Sequence, residues 1–337
     1  MLDHDLIRKF GYKTITLNDK LYIIKYKQNI SQNFAVEALY GLKQKPKFIS
    51  PKFFYNDVGQ KLFNEICKTD EYYLTRAEIE ILNNFAKQAT KYIQGKFQLV
   101  ELGSGDSIKT EIILDIFKKQ NTLEYFPIDI SDVIITNSIK LQNKYSNLYI
   151  SAIVSDYQDA FNLIDYNNAS DRKLVFFLGS SFGNFNYSEG QNFLNSIKKM
   201  LNFNDLFLLG LDLVKEKQTL LRAYNDSSNF TAAFNLNILT NINKLIGTNF
   251  DVDKFKHGVK YNEIEQRIEM YLRSTINQTV EHDNCLINFH KDELIMTEYS
   301  YKYTIDKIKH LIQNSNLKLK TIQCDKNKLY ALILVSK

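Results

Sequence analysis

The segment Leu99–Gly105, which reads Leu-Val-Glu-Leu-Gly-Ser-Gly, constrains the fold more than any other part of this chain. An apolar stretch that ends on an acid is followed by a Gly-x-Gly turn, and glycines allow a backbone to turn sharply and to approach a ligand closely. Apolar residues then recur at helical spacing at Ile108, Ile112, Ile113 and Ile116. The pattern predicts a strand, a tight turn and a helix, which together begin a βαβ unit for a nucleotide-like ligand.

A second predicted strand narrows the choice of ligand. The stretch Tyr125–Asp129 ends on a carboxylate about twenty-four residues after Gly105, near the spacing at which an acid binds ribose hydroxyls in dinucleotide folds. The third glycine of the dinucleotide fingerprint is missing, because Lys109 and Thr110 stand in its place, and the chain has no Gly-x-x-x-x-Gly-Lys-Ser/Thr loop. The remaining Glu-x-Gly-x-Gly pattern is typical of S-adenosylmethionine (SAM) enzymes. An ordinary βα turn with two glycines is the alternative.

Composition excludes several classes of protein. The 337 residues, 44% of them hydrophobic, can bury a large core in one domain or two joined ones. The net charge of +5 comes from 43 basic and 38 acidic residues spread along the chain, which argues against nucleic acid as a partner. No cysteine or histidine has metal-ligand spacing, so we predict neither a metal nor a disulfide framework. The N-terminus leads into no apolar segment and no stretch approaches eighteen apolar residues, so we expect no membrane contact and a cytoplasmic location.

Apolar runs and amphipathic segments alternate along the middle of the chain, which predicts an α/β fold of the Rossmann-like, doubly wound kind. Thr75–Glu78 is expected to form a capping box at the start of a helix. The segments Leu317–Ile322 and Tyr330–Val335 at the C-terminus predict a terminal antiparallel hairpin, and the whole fits a seven-stranded methyltransferase sheet. The predicted strands are Gln98–Gly103, Glu124–Ile130, Leu148–Val154, Lys173–Leu178, Leu206–Leu211, Leu317–Ile322 and Tyr330–Val335.

An insert separates the fifth strand from this hairpin. It contains one predicted helix that ends near Gly247 and two strands, Glu265–Ile276 and Leu294–Tyr303. We therefore expect two parts: a SAM-binding domain at 77–214 plus 305–337, and a substrate-binding subdomain formed by 1–76 plus 215–304.

From about Phe53 to the end, the chain resembles the histidine-specific Nα-methyltransferase family of ergothioneine biosynthesis. Six motifs carry this resemblance, and they occur in the same order along the chain. The resemblance implies a SAM-dependent enzyme that methylates the α-amine of L-histidine successively, to the trimethylated betaine hercynine. Two motifs, Tyr-Tyr-x-Thr-Arg and Leu-Gly-Ser-x-x-Gly-Asn, are the narrowest signals. The segments that carry the resemblance are Phe53–Gly59, Glu71–Arg76, Glu101–Gly105, Phe177–Asn184, Ala232–Asn237 and Ile268–Met270.

The cofactor residues follow from the strand ends and from the resemblance. Asp129 is predicted to bind the ribose hydroxyls, and the backbone of the glycine turn to lie near the methionine part. The resemblance adds a lysine near the SAM carboxylate, and an Asp-Tyr pair after the third strand looks like the pair that flanks adenine. A strand-end Asp that only caps the next helix is the alternative. The candidates for binding SAM are Gly103, Ser104, Gly105, Lys109, Asp129, Asp156 and Tyr157.

The predicted substrate residues form two groups: those that bind the α-amine and carboxylate of the amino acid, and those that bind its side chain. Asn184 follows the fourth strand, where an amide can bind both an amine and a carboxylate, and Gly179 leaves room beside it. Tyr224 resembles the carboxylate-binding tyrosine of the family, and simple packing is its alternative. Glu298 and Ser300 share one face of a strand, so that the carboxylate can accept one imidazole N–H and the hydroxyl can contact the other nitrogen.

Three further residues complete the predicted substrate site. Met270 lies on an apolar strand face, and the resemblance places it beside the substrate side chain, although a core position fits equally well. Tyr55 and Tyr72 align with aromatic residues near the amine and are the catalytic candidates, because their faces can stabilise a cation as methyl groups accumulate. A solvated strand acid is the alternative for Glu298.

Other functions remain open at this point. A SAM-dependent N-methyltransferase of the same architecture could act on another amino acid or small amine. A nucleic-acid methyltransferase would need a base pocket and a basic groove, and a non-catalytic SAM-binding protein would not need both halves of the site. We expect a monomer that acts on a small molecule.

Overall fold

The computed structural model describes residues 4–26, 30–105, 107–165, 172–282 and 285–337. The chain forms two compact units. The large unit takes in the described residues of 1–28, 74–213 and 303–337, and the small unit those of 29–73 and 214–302.

Strands β1 to β15 in chain order are Tyr12–Asn18, Leu21–Tyr26, Lys47–Phe48, Phe97–Leu102, Leu123–Asp129, Leu148–Val154, Arg172–Phe177, Leu206–Asp212, Phe255–Asn262, Arg267–Ser274, Gln278–His282, Cys285–Phe289, Leu294–Tyr301, Lys318–Cys324 and Tyr330–Ser336. Helices α1 to α11 are His4–Lys9, Ile30–Lys43, Asp57–Ile66, Tyr73–Gln88, Ser107–Phe117, Val133–Lys144, Tyr157–Asp165, Tyr187–Met200, Lys217–Ala223, Phe230–Ile246 and Ile305–Asn314. Short 3-10 helices occupy Pro51–Phe54, Ala89–Lys91, Ser181–Asn184 and Val252–Lys254.

The large unit is built on one sheet with the order β1-β2-β6-β5-β4-β7-β8-β15-β14. Strands β6, β5, β4, β7 and β8 run parallel, and β15 and β14 close the sheet as an antiparallel pair. Parallel strands of this kind are buried on both sides, which explains their continuous apolar runs. The doubly wound α/β prediction is therefore confirmed, including the terminal hairpin.

The sheet has nine strands where the sequence predicts seven. The additional strands β1 and β2 form a hairpin, and β2 pairs in parallel with β6, from Leu21 opposite Ile150 to Lys25 opposite Val154. The expectation that 1–76 belongs as a whole to the substrate-binding subdomain is thus not met. Because β2 hydrogen-bonds to the sheet edge, its residues belong to the large unit.

The expected capping box at Thr75–Glu78 is wrong. Helix α4 already begins at Tyr73, so Glu78 lies inside the helix. The buried face of α4 includes Ile81, Leu82 and Phe85, and Glu78 lies one turn before Leu82 on that face. A second correction concerns Ile108 of α5, which is exposed, whereas Ile113 in the same helix is buried.

The small unit contains a four-stranded sheet of order β3-β13-β10-β9 and a separate hairpin of β11 and β12. Strand β10 is central and pairs antiparallel with both β13 and β9. Helix α10 ends at Ile246, and the residue that caps it, Gly247, has the left-handed backbone conformation that favours glycine, in agreement with the predicted end near Gly247. Every second residue of β10 from Ile268 to Leu272 is buried, so one face of the sheet forms the core of this unit.

Candidate active site

The glycine turn after β4 has the geometry that its sequence predicts. Gly103 has a φ of 69° and Gly105 a φ of 41°, both in the left-handed region that favours glycine. A Cβ atom at Gly103 would lie 2.9 Å from the hydroxyl oxygen of Tyr157. Two of the predicted cofactor residues are therefore neighbours, and only glycine at 103 leaves room for the tyrosine.

Asp129 ends β5 beside this turn. One carboxylate oxygen accepts a hydrogen bond from the Ser131 amide at 2.9 Å, and the backbone amides of Ser104 and Gly105 also donate to the carboxylate. Burial raises the pKa of this carboxyl, while the backbone donors act in the opposite direction. A carboxylate at the carboxyl end of a parallel strand is suited to accept hydrogen bonds from a vicinal diol.

The other predicted cofactor residues differ in their exposure. The Ser104 hydroxyl is buried and has no hydrogen-bond partner within the described part of the chain. Asp156 is exposed at the end of β6, and Tyr157 packs edge-on against Phe177 with ring centroids 5.4 Å apart. Burial raises the pKa of Tyr157, so its phenol stays protonated at neutral pH.

Lys109 and Gly179 share a partner that the sequence analysis missed. Glu78 is buried in α4; its carboxylate accepts a hydrogen bond from the Gly179 amide at 2.8 Å and forms an ion pair with Lys109 at 3.1 Å. Gly179 has a φ of 80°, and a Cβ atom there would lie 3.1 Å from the Lys109 ammonium nitrogen. The sequence signal for Glu78 was its place on the apolar face of α4, where an acid needs a buried partner.

Asn184 is the last residue of the 3-10 helix that follows β7. The turn before it is held by Ser180, which has a φ of 58° and whose hydroxyl accepts a hydrogen bond from the Asp212 amide at 3.0 Å. Asn184 is partly buried, so its amide group is accessible to a ligand. The large unit thus carries Gly179 and Asn184 together with the cofactor residues.

In the small unit, the β10–β13 register places the residues predicted to bind the substrate side chain on one face of the sheet. Met270 lies opposite Glu298, and Ile268 lies opposite Ser300. Residues directly opposite in an antiparallel pair point to the same side of the sheet. An irregularity in β13 at Thr297 precedes Glu298, and Met270 itself is buried.

Glu298 has an unusual environment for an acid. Burial raises the pKa of this carboxyl to about 7, and the positive charge of Lys302 acts in the opposite direction. Within the described residues, that lysine is the one charged group that lowers its pKa, and no hydrogen bond does so. A partly buried carboxylate without a hydrogen-bonded partner is suited to accept an N–H from a ligand. The structure does not support the alternative of a solvated strand acid.

Ser300 and Tyr224 are linked through a lysine that the sequence analysis did not select. The two hydroxyl oxygens are 2.8 Å apart, and the buried Lys302 ammonium donates to each of them at 2.9 Å. Lys302 continues the period-two series that begins at Glu298 and Ser300, which is the signal that could have found it. The arrangement places a positive charge beside two groups that can face a polar ligand.

The two tyrosines that the resemblance indicates lie in an aromatic cluster of the small unit. Phe63 makes edge-on contacts with both Tyr55 and Tyr72, at centroid distances of 5.9 and 6.0 Å, and Tyr72 also lies edge-on to Tyr224 at 6.4 Å. Burial raises the pKa of Tyr72 well above its ordinary value, so that its phenol is neutral at physiological pH. Neutral rings in such a cluster can stabilise a cation through their faces.

His257 supports the main chain of Tyr224. Its Nε2 lies 3.1 Å from the Tyr224 carbonyl oxygen, and its Nδ1 lies 2.9 Å from the Asn235 amide nitrogen. Burial lowers the pKa of this imidazole, so it is neutral at pH 7, with Nε2–H donating to the carbonyl. A lone histidine without metal-ligand spacing gives no sequence signal for this role.

Comparison with known proteins decides the family. The family model for SAM-dependent, histidine-specific methyltransferases matches residues 34–337. The chain belongs to this family. A histidine N-alpha-methyltransferase of Mycobacterium tuberculosis is 38% identical over 267 residues, which cover 78% of this chain and 82% of the relative. The corresponding protein of Mycolicibacterium smegmatis is 36% identical, covering 80% and 84%. A more distant relative is an L-tryptophan methyltransferase of Psilocybe serbica, 26% identical, covering 83% and 85%.

This methyltransferase has a site that fits SAM. The left-handed backbone of Gly103 leaves room, and the Asp129 carboxylate at a strand end can accept hydrogen bonds from a diol. The buried Ser104 hydroxyl has no hydrogen-bond partner among the described residues and supplies a further polar group. No group of three or more His, Cys, Asp or Glu residues in the described ranges could hold a metal ion. Among the described helices, none has the length and apolarity to cross a membrane.

Proposed function

We propose that this methyltransferase transfers methyl groups successively from SAM to the α-amine of L-histidine, giving N,N,N-trimethylhistidine. The observation that carries the proposal is the sheet face on which Glu298, Ser300 and Met270 lie together. An ionised carboxylate accepts an N–H, and a hydroxyl can contact the second ring nitrogen. An imidazole is the amino-acid side chain that presents both groups on a small ring beside an apolar surface.

The proposed roles follow the chemistry of each group. Asn184 binds the α-amine and carboxylate with its amide, Gly179 leaves room beside it, and Tyr224 donates to the carboxylate, supported by the Lys302 ammonium at 2.9 Å. Glu298 and Ser300 bind the imidazole, and Met270 packs against it. These assignments rest on the side chains described above and on their match with the motifs of the family.

The cofactor roles are proposed in the same way. Asp129 binds the ribose hydroxyls, Lys109 the carboxylate, and Asp156 and Tyr157 the adenine, while the backbone of Gly103, Ser104 and Gly105 lies along the methionine part. SAM, when bound, supplies an electrophilic methyl group on a sulfonium. The protein must hold an unprotonated amine about 3–3.5 Å from that methyl group, so positioning makes the main contribution to the rate.

Tyr55 and Tyr72 are proposed to stabilise the growing positive charge. Because burial holds the pKa of Tyr72 high, this residue acts as a neutral phenol and not as a phenolate base. Its ring face and its oxygen lone pairs remain suited to a methylated ammonium. A trimethylated product keeps a permanent charge, so tolerance of a cation matters more in this site than a strong base.

The large unit is proposed as the SAM-binding domain and the small unit as the main source of substrate specificity. Within the described ranges no disulfide joins the three cysteines, Cys67, Cys285 and Cys324, which fits a reducing compartment and supports a cytoplasmic location as part of the proposal. A monomeric state is also part of the proposal, and light scattering coupled to gel filtration tests it.

The experiment for the function is incubation of the purified protein with SAM and L-histidine, followed by mass spectrometry. We expect products heavier by one, two and three methyl groups, with fragment ions that place all of them on the α-nitrogen. The L-tryptophan methyltransferase among the relatives makes another amino acid the second candidate. If histidine is unchanged and tryptophan or phenylalanine is methylated, the SAM-dependent activity stands and the substrate proposal is wrong.

A further inference from the structure

Glu78 lies at the centre of a polar cluster inside the large unit. Its buried carboxylate accepts hydrogen bonds from the Gly179 amide, at 2.8 and 3.0 Å to its two oxygens, and from the Tyr330 hydroxyl at 2.7 Å. The Lys109 ammonium lies 3.1 Å from the same carboxylate. A buried carboxylate is costly unless such donors and a cation compensate its lost hydration, and here all of them are present.

The surrounding fold leaves space for this carboxylate. Gly210 lies in β8, and a Cβ atom there would collide with one Glu78 carboxylate oxygen and would lie 2.5 Å from the Tyr330 hydroxyl oxygen. Glycine weakens the interior of a strand, because it adds no packing and loses more conformational freedom than other residues. Its presence in a central strand is explained by the room that the acid and the tyrosine need.

Two of the groups that contact Glu78 belong to the proposed ligand site. Lys109 is the proposed partner of the SAM carboxylate, and Gly179 precedes the turn that ends in Asn184. One carboxylate therefore contacts both a cofactor residue and the segment that carries the proposed amine anchor. An ammonium on a four-carbon chain takes many rotamers, so a fixed negative charge is the means that holds it in one place.

We propose that Glu78 is a positioning residue for methyl transfer, which holds the Lys109 ammonium in place for the SAM carboxylate and fixes the Gly179 amide at the start of the Asn184 turn. The inference rests on the proposed role of Lys109. It makes the negative charge of Glu78, and not only its volume, necessary for tight SAM binding. A residue that merely filled space in α4 would contribute to stability without this dependence on Lys109.

The test is a double-mutant cycle of Glu78→Gln and Lys109→Met, with SAM affinity measured by calorimetry. Glutamine keeps an acceptor for the Gly179 amide but removes the charge and brings N–H donors close to the ammonium. Glu78→Gln alone should weaken SAM binding roughly tenfold, since charged hydrogen bonds of this kind are lost. In the Lys109→Met background the same substitution should change SAM affinity by less than about twofold.

Tyr330→Phe is the matched control. It removes one hydrogen bond from the same carboxylate but keeps the charge and the contact with Lys109, so SAM affinity should stay within about twofold of the parent. An equal loss of affinity in Tyr330→Phe and Glu78→Gln would overturn the inference, because a general disturbance of the Glu78 cluster, and not the loss of charge, would then explain both. If Glu78→Gln does not fold, Gly210→Ala replaces it in the cycle, because the added methyl group displaces the carboxylate without removing it.

The outcomes distinguish a failure of this inference from a failure of the proposed role of Lys109. If Lys109→Met leaves SAM affinity unchanged, the proposed role of Lys109 is wrong and the inference falls with it. If Lys109→Met weakens SAM binding while Glu78→Gln does not, or if Glu78→Gln has the same effect in both backgrounds, only the inference is wrong. A rise in KM for SAM in Glu78→Gln, with an unchanged melting temperature, would support it.

Discussion

The two units present their candidate ligand groups in different ways. In the large unit the groups follow the ends of neighbouring parallel strands, where glycines with a left-handed backbone, Gly103, Gly105 and Gly179, form the turns beside them. In the small unit they are side chains on one face of the β10–β13 pair. The first arrangement suits a ligand common to many enzymes. In the second arrangement, substitution of a few side chains is enough to change which ligand is bound.

Their acids differ in the same way. Asp129 accepts several backbone hydrogen bonds, and Glu78 accepts hydrogen bonds and contacts a cation within the large unit. Glu298 has its pKa raised by burial, with the charge of Lys302 as the opposing influence. A carboxylate can accept about four hydrogen bonds, so backbone donors can fix Asp129 in place and leave capacity for a diol. Glu298 accepts no hydrogen bond among the described residues, so its acceptor sites are left for a ligand. The predictions below test this division.

The largest effect is expected from Asp129→Ala. Losing hydrogen bonds to a charged group costs about 1.5–3 kcal/mol, so SAM affinity should fall roughly 10- to 150-fold by calorimetry. Asp132→Ala is the matched control, because Asp132 is an exposed carboxylate three positions further along that pairs with Lys25. Unchanged SAM affinity in a folded Asp129→Ala protein would place the ribose contact elsewhere.

Glu298→Ala should affect histidine and not SAM. If the carboxylate accepts the imidazole N–H, its removal leaves a ligand donor unpaired at a cost of about 1–3 kcal/mol, which is roughly 5- to 150-fold in kcat/KM for histidine. Glu263→Ala, at an exposed acid of the same unit, is the control. Adding Met270→Val should relax the pocket further toward larger amino acids. A loss of SAM affinity in Glu298→Ala would contradict the division between the units.

The pH dependence of the reaction should reflect the titration of the Glu298 carboxyl group. With its pKa raised to about 7, this group is protonated below that pH and presents a full carboxylate acceptor only above it. We expect kcat/KM for histidine, divided by the value for Glu298→Gln at the same pH, to rise through about pH 7 and then to level off. The division removes the titrations of histidine itself, which both proteins share. A flat ratio would show that Glu298 does not titrate in the free enzyme in this range.

The smallest effect is expected from Ser300→Ala. The hydroxyl contributes neutral hydrogen bonds, and the Lys302–Tyr224 bond at 2.9 Å remains without it. We expect KM for histidine to rise about fivefold, which corresponds to roughly 1 kcal/mol, with little change in kcat. A loss as large as that of Glu298→Ala would mean that the hydroxyl contributes as much as the acid, and would contradict Glu298 as the main contact of the imidazole.

The same contrast explains what the sequence could predict. The Gly-x-Gly turn, the strand-end acids and the strand Leu148–Val154 depend on neighbours along the chain, and the structure has them where they were expected. The hairpin of β1 and β2 joins the sheet by pairing with β6, more than a hundred residues away. Its exposed, polar first strand carries little of the buried-strand pattern, so local reasoning did not detect it.

The site residues that the sequence analysis missed were missed for a second reason. Glu78, His257 and Lys302 act through groups distant in sequence, the Gly179 amide, the Tyr224 carbonyl and the Tyr224 hydroxyl respectively. A buried polar residue is recognised by its partner, and the partner is set by the fold. Pattern reasoning therefore found the groups proposed to touch ligands and missed those that hold them in place.

The most direct test of the division is a competition experiment. Equal concentrations of histidine, phenylalanine and tryptophan are incubated with SAM and either the parent protein or Glu298→Ala, and the methylated products are quantified together by mass spectrometry. We predict methylated histidine as the dominant product of the parent, and a shift of the product ratio toward the aromatic amino acids in the variant. The same product ratio from both proteins, with SAM affinity unchanged, would contradict the assignment of substrate specificity to the small unit.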